Sequence, residues 1–549
     1  MRKGLRIIAA SVIALAVASC SSVEKMAELA ENVKVTCDPA VLECIAGNID
    51  ANVSVTYPEG YFLPKATLEV TPVLVYDGGE AKMAPFQYQG EKVKDNYKVV
   101  AKAGGTVNEK VHFDYVEGME QAHLELRGVA KYKKKTVTLP TKKVADGVNT
   151  TYMLVKTPNG LVPLKADGYE AIIKQTAEGQ ILYNINSADV NNRQLKGQSV
   201  KDFQDALDEI KNNERKTLVG TEVVAYASPD GSESLNNKLS DKRAASGEKA
   251  WTKIVKGKEV DDPTVKSVGE DWEGFQELVQ NSDIEDKDLI LRVLSMYSDP
   301  NVRESEIKNM SAVYTDLKSS VLPELRRARF IANVEYKNYT SEELLKLVDE
   351  NIDVLDETAL LHAATLVEDE DTKVKLYKKA SDKYDSDVAR FNLAATYFNN
   401  GQYDKAKSAF ENVENKDADY QNALGALALA NGDYETAAKQ FKKAGTTAAK
   451  VNQGVVDILT GNYDKAVSDL QGVDACCSYL SLAYILTNQL DKALETIHCA
   501  CPVCTYHKAI IAARQGNASE VKKNLDIVKE KSKALAARAE KDIEFAEYR

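Results

Sequence analysis

Four polar residues flank one turn in the middle of the chain and could form a small binding pocket. Ser228 and Asp230 follow the apolar run VVAYA, and Asn236 and Arg243 lie in the helical stretch after the turn. The Arg243 guanidinium is a planar donor fork suited to a carboxylate, and the Asn236 amide both donates and accepts. We therefore predict a site for a small anionic ligand. The alternative is that Arg243 pairs with a neighbouring acid and only holds the turn against the helix.

The sequence contains none of the motifs that usually carry catalysis. It has no phosphate-binding loop, nucleophile elbow, paired His-Glu metalloprotease motif or dinucleotide fingerprint. His112, His123 and His362 are scattered along the chain. The chain is therefore predicted to be non-catalytic and to use no cofactor, and a hydrolase with its site in the N-terminal half is the weaker alternative.

Length and net charge indicate the number of domains and limit the possible binding partners. A chain of 549 residues is too long for one hydrophobic core and indicates about three or four domains. Its 71 basic and 83 acidic residues give a net charge of −12, which leaves little surface to neutralise phosphates. No nucleic-acid partner is expected.

The N-terminus has the features of an export signal. Three basic residues precede an apolar run at 7–18 that is too short for a membrane span. The following letters VASC end at Cys20 and resemble the bacterial lipobox. This resemblance implies that residues 1–19 are removed as a signal peptide and that Cys20 carries acyl chains such as palmitate. A lipidated linker at 20–32 would then tether the protein to a membrane.

Five cysteines and two histidines lie near the C-terminus. They are Cys476, Cys477, Cys499, Cys501, Cys504, His498 and His507. Thiolate and imidazole bind metals, but the spacing lacks paired Cys-x-x-Cys motifs and does not fit the haem-attachment pattern. In an exported protein we therefore expect disulfides among Cys476, Cys499, Cys501 and Cys504 and no metal. Buried free thiols and a metal site are the alternatives.

Residues 33–165 follow a β pattern. Stretches such as ANVSVTYP, ATLEVTPVLVY and AHLELRGVAKY alternate apolar with polar residues and are separated by turn residues. Such strands favour an antiparallel, immunoglobulin-like β-sandwich. Cys37 and Cys44 flank the letters DPAVLE and either close a small loop by a disulfide or remain free thiols.

Residues 168–337 mix strands with helices. QILYNINSADV, LVGTEVVAYAS and RRARFIANVEY read as strands, and SVKDFQDALDEIKNN and KLSDKRAASGEKAWTKI read as helices. This alternation predicts a sheet with helices on one side. A further, largely helical stretch at about 271–325 is expected to be an insertion that could cover the pocket.

The stretches ILYNINSADV, NNKLSDKRA and LRRARFIANV resemble the OmpA-like, peptidoglycan-binding family. In that family a strand-end aspartate and the arginine of a Leu-Ser-x-x-Arg-Ala helix bind the diaminopimelate of the cell wall. The resemblance implies this role for Arg243 and Asn236. The family aspartate, however, falls on Ser228, and Asp230 lies two residues on. A scaffold that does not bind the wall, or a pocket for another anion, therefore stays open.

Residues 341–545 repeat a helical pattern. The aligned turns place Tyr403, Tyr434, Tyr463, Leu490 and Ala518 at equivalent positions. Each is followed by apolar residues three, seven and ten positions later, which form one helical face. With small residues such as Ala394 and Ala395 in the preceding helix, the pattern resembles the tetratricopeptide repeat. It implies an all-α solenoid with a protein-binding surface.

The whole combination resembles envelope lipoproteins of the Bacteroidetes type. The resemblance implies a non-catalytic scaffold anchored in the outer membrane by Cys20, with the OmpA-like domain on peptidoglycan and the repeats on a protein partner. The periplasmic face of the membrane is favoured. The alternative is a surface-exposed interaction or assembly lipoprotein in which the OmpA-like domain is only structural.

Overall fold

The computed structural model describes residues 23–549 and contains two compact units. Unit 1 combines the described residues up to Ala166 with Ser381–Arg549, and unit 2 is Asp167–Ala380. The predicted signal peptide and Cys20 lie outside the described residues. No helix among the described residues is long and apolar enough to cross a membrane.

The first part of unit 1 is rich in β-strands. A short helix, α1 (Glu24–Glu28), precedes the strands, and its residue Met26 is buried. The predicted linker is therefore partly packed against the core. The strands are β1 (Lys34–Asp38), β2 (Val41–Ile45), β3 (Asn48–Tyr57), β4 (Ala66–Tyr76), β5 (Gly79–Lys82), β6 (Phe86–Gly90), β7 (Lys98–Val100), β8 (Gly105–Asp114), β9 (His123–Tyr132), β10 (Lys135–Thr138) and β11 (Lys142–Asn149).

These strands hydrogen-bond in the order β1-β3-β2-β11-β9-β4-β6-β7, with β8 on β3, β5 on β4 and β10 on β9. Pairing is antiparallel except between β2 and β11 and between β6 and β7. Buried residues alternate with exposed or half-buried ones along β3 and β9, because successive side chains point to opposite faces of a sheet. The predicted β-rich N-terminal region is confirmed. An immunoglobulin-like topology stays a prediction.

The structure does not join Cys37 to Cys44, for which the sequence left both a disulfide and two free thiols open. Cys37 on β1 pairs with Val53, and Cys44 on β2 pairs with Ile49 on the same strand β3. β8 pairs with the other edge of β3, so β1 and β2 follow each other along one edge, and their cysteines face positions four residues, or roughly 13 Å, apart along β3. Both are free thiols, and a disulfide needs Cα atoms within about 7 Å of each other.

Unit 2 is built around a four-stranded sheet in the order β12-β15-β13-β14. Its strands are β12 (Ile172–Leu182), β13 (Lys216–Ala227), β14 (Thr264–Glu270) and β15 (Arg327–Lys337). Helix α2 (Gln198–Asn212) connects β12 to β13, and α3 (Glu233–Ile254) connects β13 to the parallel strand β14. Phe203, Trp251 and Phe330 pack together where these helices meet the sheet.

Two strands of unit 2 differ from expectation. The stretch QILYNINSADV was expected to be a strand, but β12 ends at Leu182 and lies mostly before it. Strand β14 was not predicted, because it is an edge strand whose residues are mainly exposed and give no apolar alternation.

The predicted insertion is helical and has its own apolar core. Its helices are α4 (Trp272–Gln280), α5 (Lys287–Met296), α6 (Pro300–Asn309) and α7 (Ser311–Ser320). Phe275, Ile290 and Leu317 are buried in that core. The buried Asp271 caps α4 and accepts a 2.8 Å hydrogen bond from Arg327 Nε, which ties the insertion to the start of β15.

The first helices after residue 341 belong to unit 2, and the start of the repeats at residue 341 stays a prediction. These helices are α8 (Ser341–Glu350), α9 (Glu357–Leu366) and most of α10 (Glu370–Tyr384). Arg215 Nη2 lies 2.8 Å from Glu343 Oε1, and His362 Nδ1 lies 2.9 Å from Asp167 Oδ2. The His362 ring also stacks on Tyr169 at 4.4 Å. These polar contacts join the helices to residues of the same unit and are not visible in an apolar repeat pattern.

The remaining helices form the repeats of unit 1. They are α11 (Asp387–Asn399), α12 (Tyr403–Glu411), α13 (Ala418–Ala430), α14 (Tyr434–Ala444), α15 (Thr447–Leu459), α16 (Tyr463–Leu470), α17 (Ser478–Leu486), α18 (Leu490–Thr496), α19 (Pro502–Arg514), α20 (Ala518–Lys531) and α21 (Lys533–Lys541). The predicted apolar face is buried at Ala406, Phe410 and Val413. Gly454 allows close approach, because a Cβ there would lie 2.5 Å from Leu470 Cγ.

Candidate functional site

The repeats bind a stretch of their own chain. Residues 156–165, which we call the groove segment, follow the last strand of the β-rich part and have no regular secondary structure. They contact the first helices of successive repeats, from α17 at Thr157 to α11 at Lys165. The segment therefore crosses the repeats in the direction opposite to the order of the repeats in the chain.

Asparagines on the repeat helices hold the backbone of the groove segment. Asn452 on α15 accepts a 2.6 Å hydrogen bond from Leu161 N and donates a 2.9 Å bond to Leu161 O. Asn392 on α11 binds Lys165 in the same way, with distances of 2.7 Å to its N and 3.0 Å to its O. Each side-chain amide thus satisfies both backbone polar groups of one residue.

Two further asparagines extend this arrangement. Asn422 Nδ2 on α13 donates to Leu161 O at 2.8 Å, and its Oδ1 accepts a 2.9 Å bond from Asn452 Nδ2. Asn399 Nδ2 donates to Val162 O at 3.1 Å. We call Asn392, Asn422 and Asn452 the asparagine ladder. Its members are buried and 30 residues apart, on the first helices of three successive repeats.

Side chains of the groove segment make more specific contacts. Thr157 Oγ1 lies 2.7 Å from the Tyr479 hydroxyl. Lys165 Nζ lies 2.6 Å from Asp417 Oδ2 and 4.7 Å from the centre of the Phe391 ring. Burial favours the neutral form of Asp417, but the hydrogen bond and charge of Lys165 and hydrogen bonds from backbone N–H groups together outweigh it and lower the pKa of Asp417 below its usual range.

This geometry suits an extended peptide. Asparagine amides can hydrogen-bond to the main chain of any peptide in the right position, so the asparagine ladder binds without regard to sequence. The contacts at Thr157 and Lys165 recognise particular side chains. This site was not predicted from the sequence. Its signal is an asparagine at 30-residue spacing in three repeats, which is not part of the apolar repeat pattern.

The structure also brings together the predicted pocket residues of unit 2, but their polar groups are already bonded. Arg243 is completely buried. Its Nε donates to Ser187 O at 3.0 Å, its Nη1 to Tyr226 O at 2.9 Å and its Nη2 to Asn184 O at 3.3 Å. Burial lowers the pKa of Arg243 to about 10. The partners of this arginine are three backbone carbonyls, in place of both the ligand carboxylate that we predicted and the neighbouring acid of the alternative.

The other predicted pocket residues bind one another or residues of the same sheet. Ser228 Oγ donates to Asp230 Oδ1 at 2.7 Å, and Asp230 Oδ2 lies 3.3 Å from Arg326 Nη2. Asn236 Nδ2 donates to Glu270 Oε1 at 2.9 Å. A ligand carboxylate would therefore have to displace existing bonds to reach the Arg243 guanidinium.

The C-terminal cysteines gather at one place. Cys476 and Cys477 directly precede α17, while Cys499, Cys501 and Cys504 lie at the start of α19. All five are unbonded thiols in the structure, so the expected disulfides among them are not formed. The shortest sulfur–sulfur distances are 3.3 Å between Cys499 and Cys501 and 3.4 Å between Cys477 and Cys504.

The two neighbouring histidines are apart from this cluster of thiols. The exposed His498 has its Nδ1 2.9 Å from Thr496 O. His507 is fully buried, with Nδ1 2.9 Å from Ser481 Oγ, and burial lowers its pKa to about 3. His507 is therefore a neutral core residue at physiological pH.

Comparison with known proteins supports tetratricopeptide repeats in the C-terminal helices. The profile of the tetratricopeptide repeat family matches residues 388–414. No curated protein matches this sequence. Similar solved structures include a tetratricopeptide repeat protein from Parabacteroides merdae ATCC 43184, with 15% identity over 36% of this chain and 88% of that chain and a TM-score of 0.30.

Two further structures are similar to parts of the chain. YrrB, described as a TPR protein with an unusual peptide-binding site, is 18% identical over 37% of this chain and 100% of its own, with a TM-score of 0.21. The Cut9–Hcn1 hetero-tetramer of APC/C matches at 12% identity over 56% of this chain and 64% of that chain, with a TM-score of 0.33. The profile match covers α11 and α12, and paired helices continue to α20, so the C-terminal helical region is tetratricopeptide-repeat-like.

Proposed function

We propose that this chain is a non-catalytic scaffold that binds protein partners through its tetratricopeptide repeats. The observation that carries the proposal is the paired hydrogen bonding of Asn392 and Asn452 to the backbone of an extended segment. A surface that holds one extended peptide in this way can hold another of similar shape. The groove segment is then the internal occupant with which a partner peptide must compete.

The test adds the groove segment as a separate peptide. In a full-length variant with residues 157–165 replaced by a Gly-Ser linker of equal length, the repeat surface is vacated. We expect a labelled peptide of residues 156–166 to bind this variant, measured by fluorescence anisotropy. Wild-type protein is expected to bind it far more weakly, because the attached segment competes at an effective concentration of about 1 mM or more.

The matched control adds Asn392→Ala and Asn452→Ala to the linker variant. These changes remove two of the bidentate amides, and we expect binding to fall by at least about tenfold. Circular dichroism establishes that both variants are folded. Absence of binding to the folded linker variant, or equal binding with and without the two asparagines, would contradict the proposed peptide-binding surface.

We further propose that the scaffold is an outer-membrane lipoprotein tethered through Cys20, with its periplasmic face favoured. The basic start, the apolar run at 7–18 and the letters VASC support this. Labelled palmitate should be incorporated by the wild-type protein and lost in Cys20→Ala. Incorporation that persists in the variant rules out this tether, and protease digestion of intact cells separates periplasmic from surface exposure.

Binding of peptidoglycan by unit 2 is our second proposal, and the OmpA-like resemblance supports it together with the proximity of Ser228, Asp230 and Arg326. The burial of Arg243 weighs against it, because a ligand would have to replace three carbonyl acceptors. We therefore rank peptidoglycan binding below the alternative that unit 2 has only a structural role. Co-sedimentation of the full-length protein with purified peptidoglycan tests it, and a protein that stays in the supernatant does not bind the wall.

A further inference from the structure

Four thiols of unit 1 converge on one point. The sulfur atoms all lie within 4.8 Å of one another, and we call this group the thiol cluster: Cys476, Cys477, Cys499 and Cys504. Cys477 and Cys504 are buried, and the other two are half-buried. Four sulfurs bound tetrahedrally to zinc at about 2.3 Å are about 3.8 Å apart, so the observed spacing needs little adjustment. We propose that the thiol cluster is a structural zinc site.

The chain supplies these sulfurs from two adjacent helix starts. Cys477 is the N-cap residue of α17, and Cys504 lies in the first turn of α19. Cys476 and Cys499 come from the connections that lead into these helices. A metal ion would thus join two neighbouring repeats at the point where the short helix α18 ends. Ala500, predicted to lie on the buried helical face, is exposed in the connection between α18 and α19.

The surroundings favour the negative charge of such a site. A zinc ion with four thiolates has a net charge of −2, and its formation from four thiols releases four protons. The N-termini of α17 and α19 both face the cluster with positive dipole ends. The Lys156 ammonium lies 3.6 Å from Cys476 Sγ, and Ser478 Oγ donates to the same sulfur at 3.3 Å.

One thiol of the cluster lies beside the groove segment, because Cys476 Sγ is 3.6 Å from Lys156 Nζ. The thiolate is the form that binds metal. Lys156 belongs to the groove segment, so a metal ion here would also strengthen the attraction between that segment and the repeats.

The rival assignment is a disulfide between Cys477 and Cys504. Their sulfurs are 3.4 Å apart, compared with about 2.05 Å in a disulfide. A disulfide accounts for two sulfurs, whereas a tetrahedral metal accounts for the convergence of all four, including the adjacent pair Cys476 and Cys477. Neighbouring Cys501 lies outside the cluster, although its sulfur is 3.3 Å from Cys499 Sγ.

The test measures metal in full-length protein purified in the presence of a reductant and without chelators. We expect one zinc ion per chain by plasma mass spectrometry. The variant Cys499→Ser changes a half-buried ligand and should retain less than about one tenth of that zinc. The matched control Cys501→Ser changes a neighbouring thiol that is not a ligand and should retain the zinc.

A second readout is independent of the variants. Exchange of the metal for Co²⁺ should give the strong sulfur-to-cobalt charge-transfer absorption of a tetrahedral thiolate site, even if Cys499→Ser fails to fold. Lack of zinc or of this absorption would overturn the proposal, as would iron in place of zinc or equal zinc loss in both variants. Mass spectrometry after alkylation that finds Cys477 disulfide-bonded to Cys504 would also overturn it.

Discussion

Replacing Arg243 by alanine is expected to lower the free energy of unfolding of unit 2 by about 3–5 kcal/mol. The guanidinium donates to the carbonyls of Ser187, Tyr226 and Asn184 in the interior. Removing it leaves those acceptors without their donor and creates a cavity beside the Tyr183 ring, whose centre is 5.1 Å from the guanidinium carbon. Arg243→Lys keeps the charge and part of the side-chain volume, so it should lower the free energy of unfolding by less than Arg243→Ala does.

Tryptophan fluorescence in a urea titration measures this change specifically. The chain has two tryptophans, Trp251 and Trp272, and both lie in unit 2. The exposed Arg193 of the same unit provides the control, because Arg193→Ala should change stability by less than about 0.5 kcal/mol. If Arg243→Ala changes the free energy of unfolding as little as the control does, the arginine is not structural and the ligand pocket regains support.

The second large effect is expected at Glu544, which joins the C-terminus to the β-rich part of unit 1. Its Oε1 accepts hydrogen bonds from Asn149 Nδ2 at 2.7 Å and Thr151 Oγ1 at 3.0 Å, and both carboxylate oxygens lie 3.1 Å from Arg514 Nε. Glu544→Ala leaves the largely buried Arg514 charge unpaired. We expect it to lower the free energy of unfolding by about 3–5 kcal/mol.

This effect should depend on pH in a defined direction. Burial raises the pKa of Glu544, but the hydrogen bonds and charge of Arg514 and the hydrogen bonds from Asn149 and Thr151 together outweigh it, so the pKa lies below its usual range. The stabilisation is therefore present above the unfolded pKa of about 4.3 and disappears as pH falls through the lower folded value. The difference between wild type and Glu544→Ala should shrink below about pH 4.

Helical circular dichroism during urea unfolding measures the Glu544 variant, since the repeats carry much of the helix in unit 1. Glu547→Ala is the matched control, because Glu547 is an exposed glutamate of the same C-terminal turn. Equal stabilities of the two variants at neutral pH, or a difference that grows in acid, would contradict a charged Glu544 paired with Arg514.

The apolar repeat pattern was the most informative feature of the sequence. Ala406, Phe410 and Val413 are buried as predicted, because a helix that packs on neighbours on one side must repeat its apolar residues with helical spacing. The β-rich region was predicted for a related reason, since alternation along β3 and β9 reflects a sheet with one buried face.

Polar interactions explain what the sequence did not reveal. The groove segment has no periodic pattern of its own, and its position depends on amides that lie about 230 to 290 residues away in the chain. Arg243 was recognised as a special residue, but its partners are backbone carbonyls, which no residue type identifies. The grouping of α8 and α9 with unit 2 was also not predicted, because it involves polar contacts of Arg215 and His362.

The central claim is that the asparagine ladder holds the backbone of the groove segment, and amide hydrogen exchange of the full-length protein tests it most directly. The N–H groups of Leu161 and Lys165, bonded to Asn452 and Asn392, should exchange slowly in the native protein. Asn452→Ala should accelerate exchange at Leu161 by at least about tenfold. Exchange across residues 157–165 of the wild-type protein at the rate of an unfolded peptide would contradict the account.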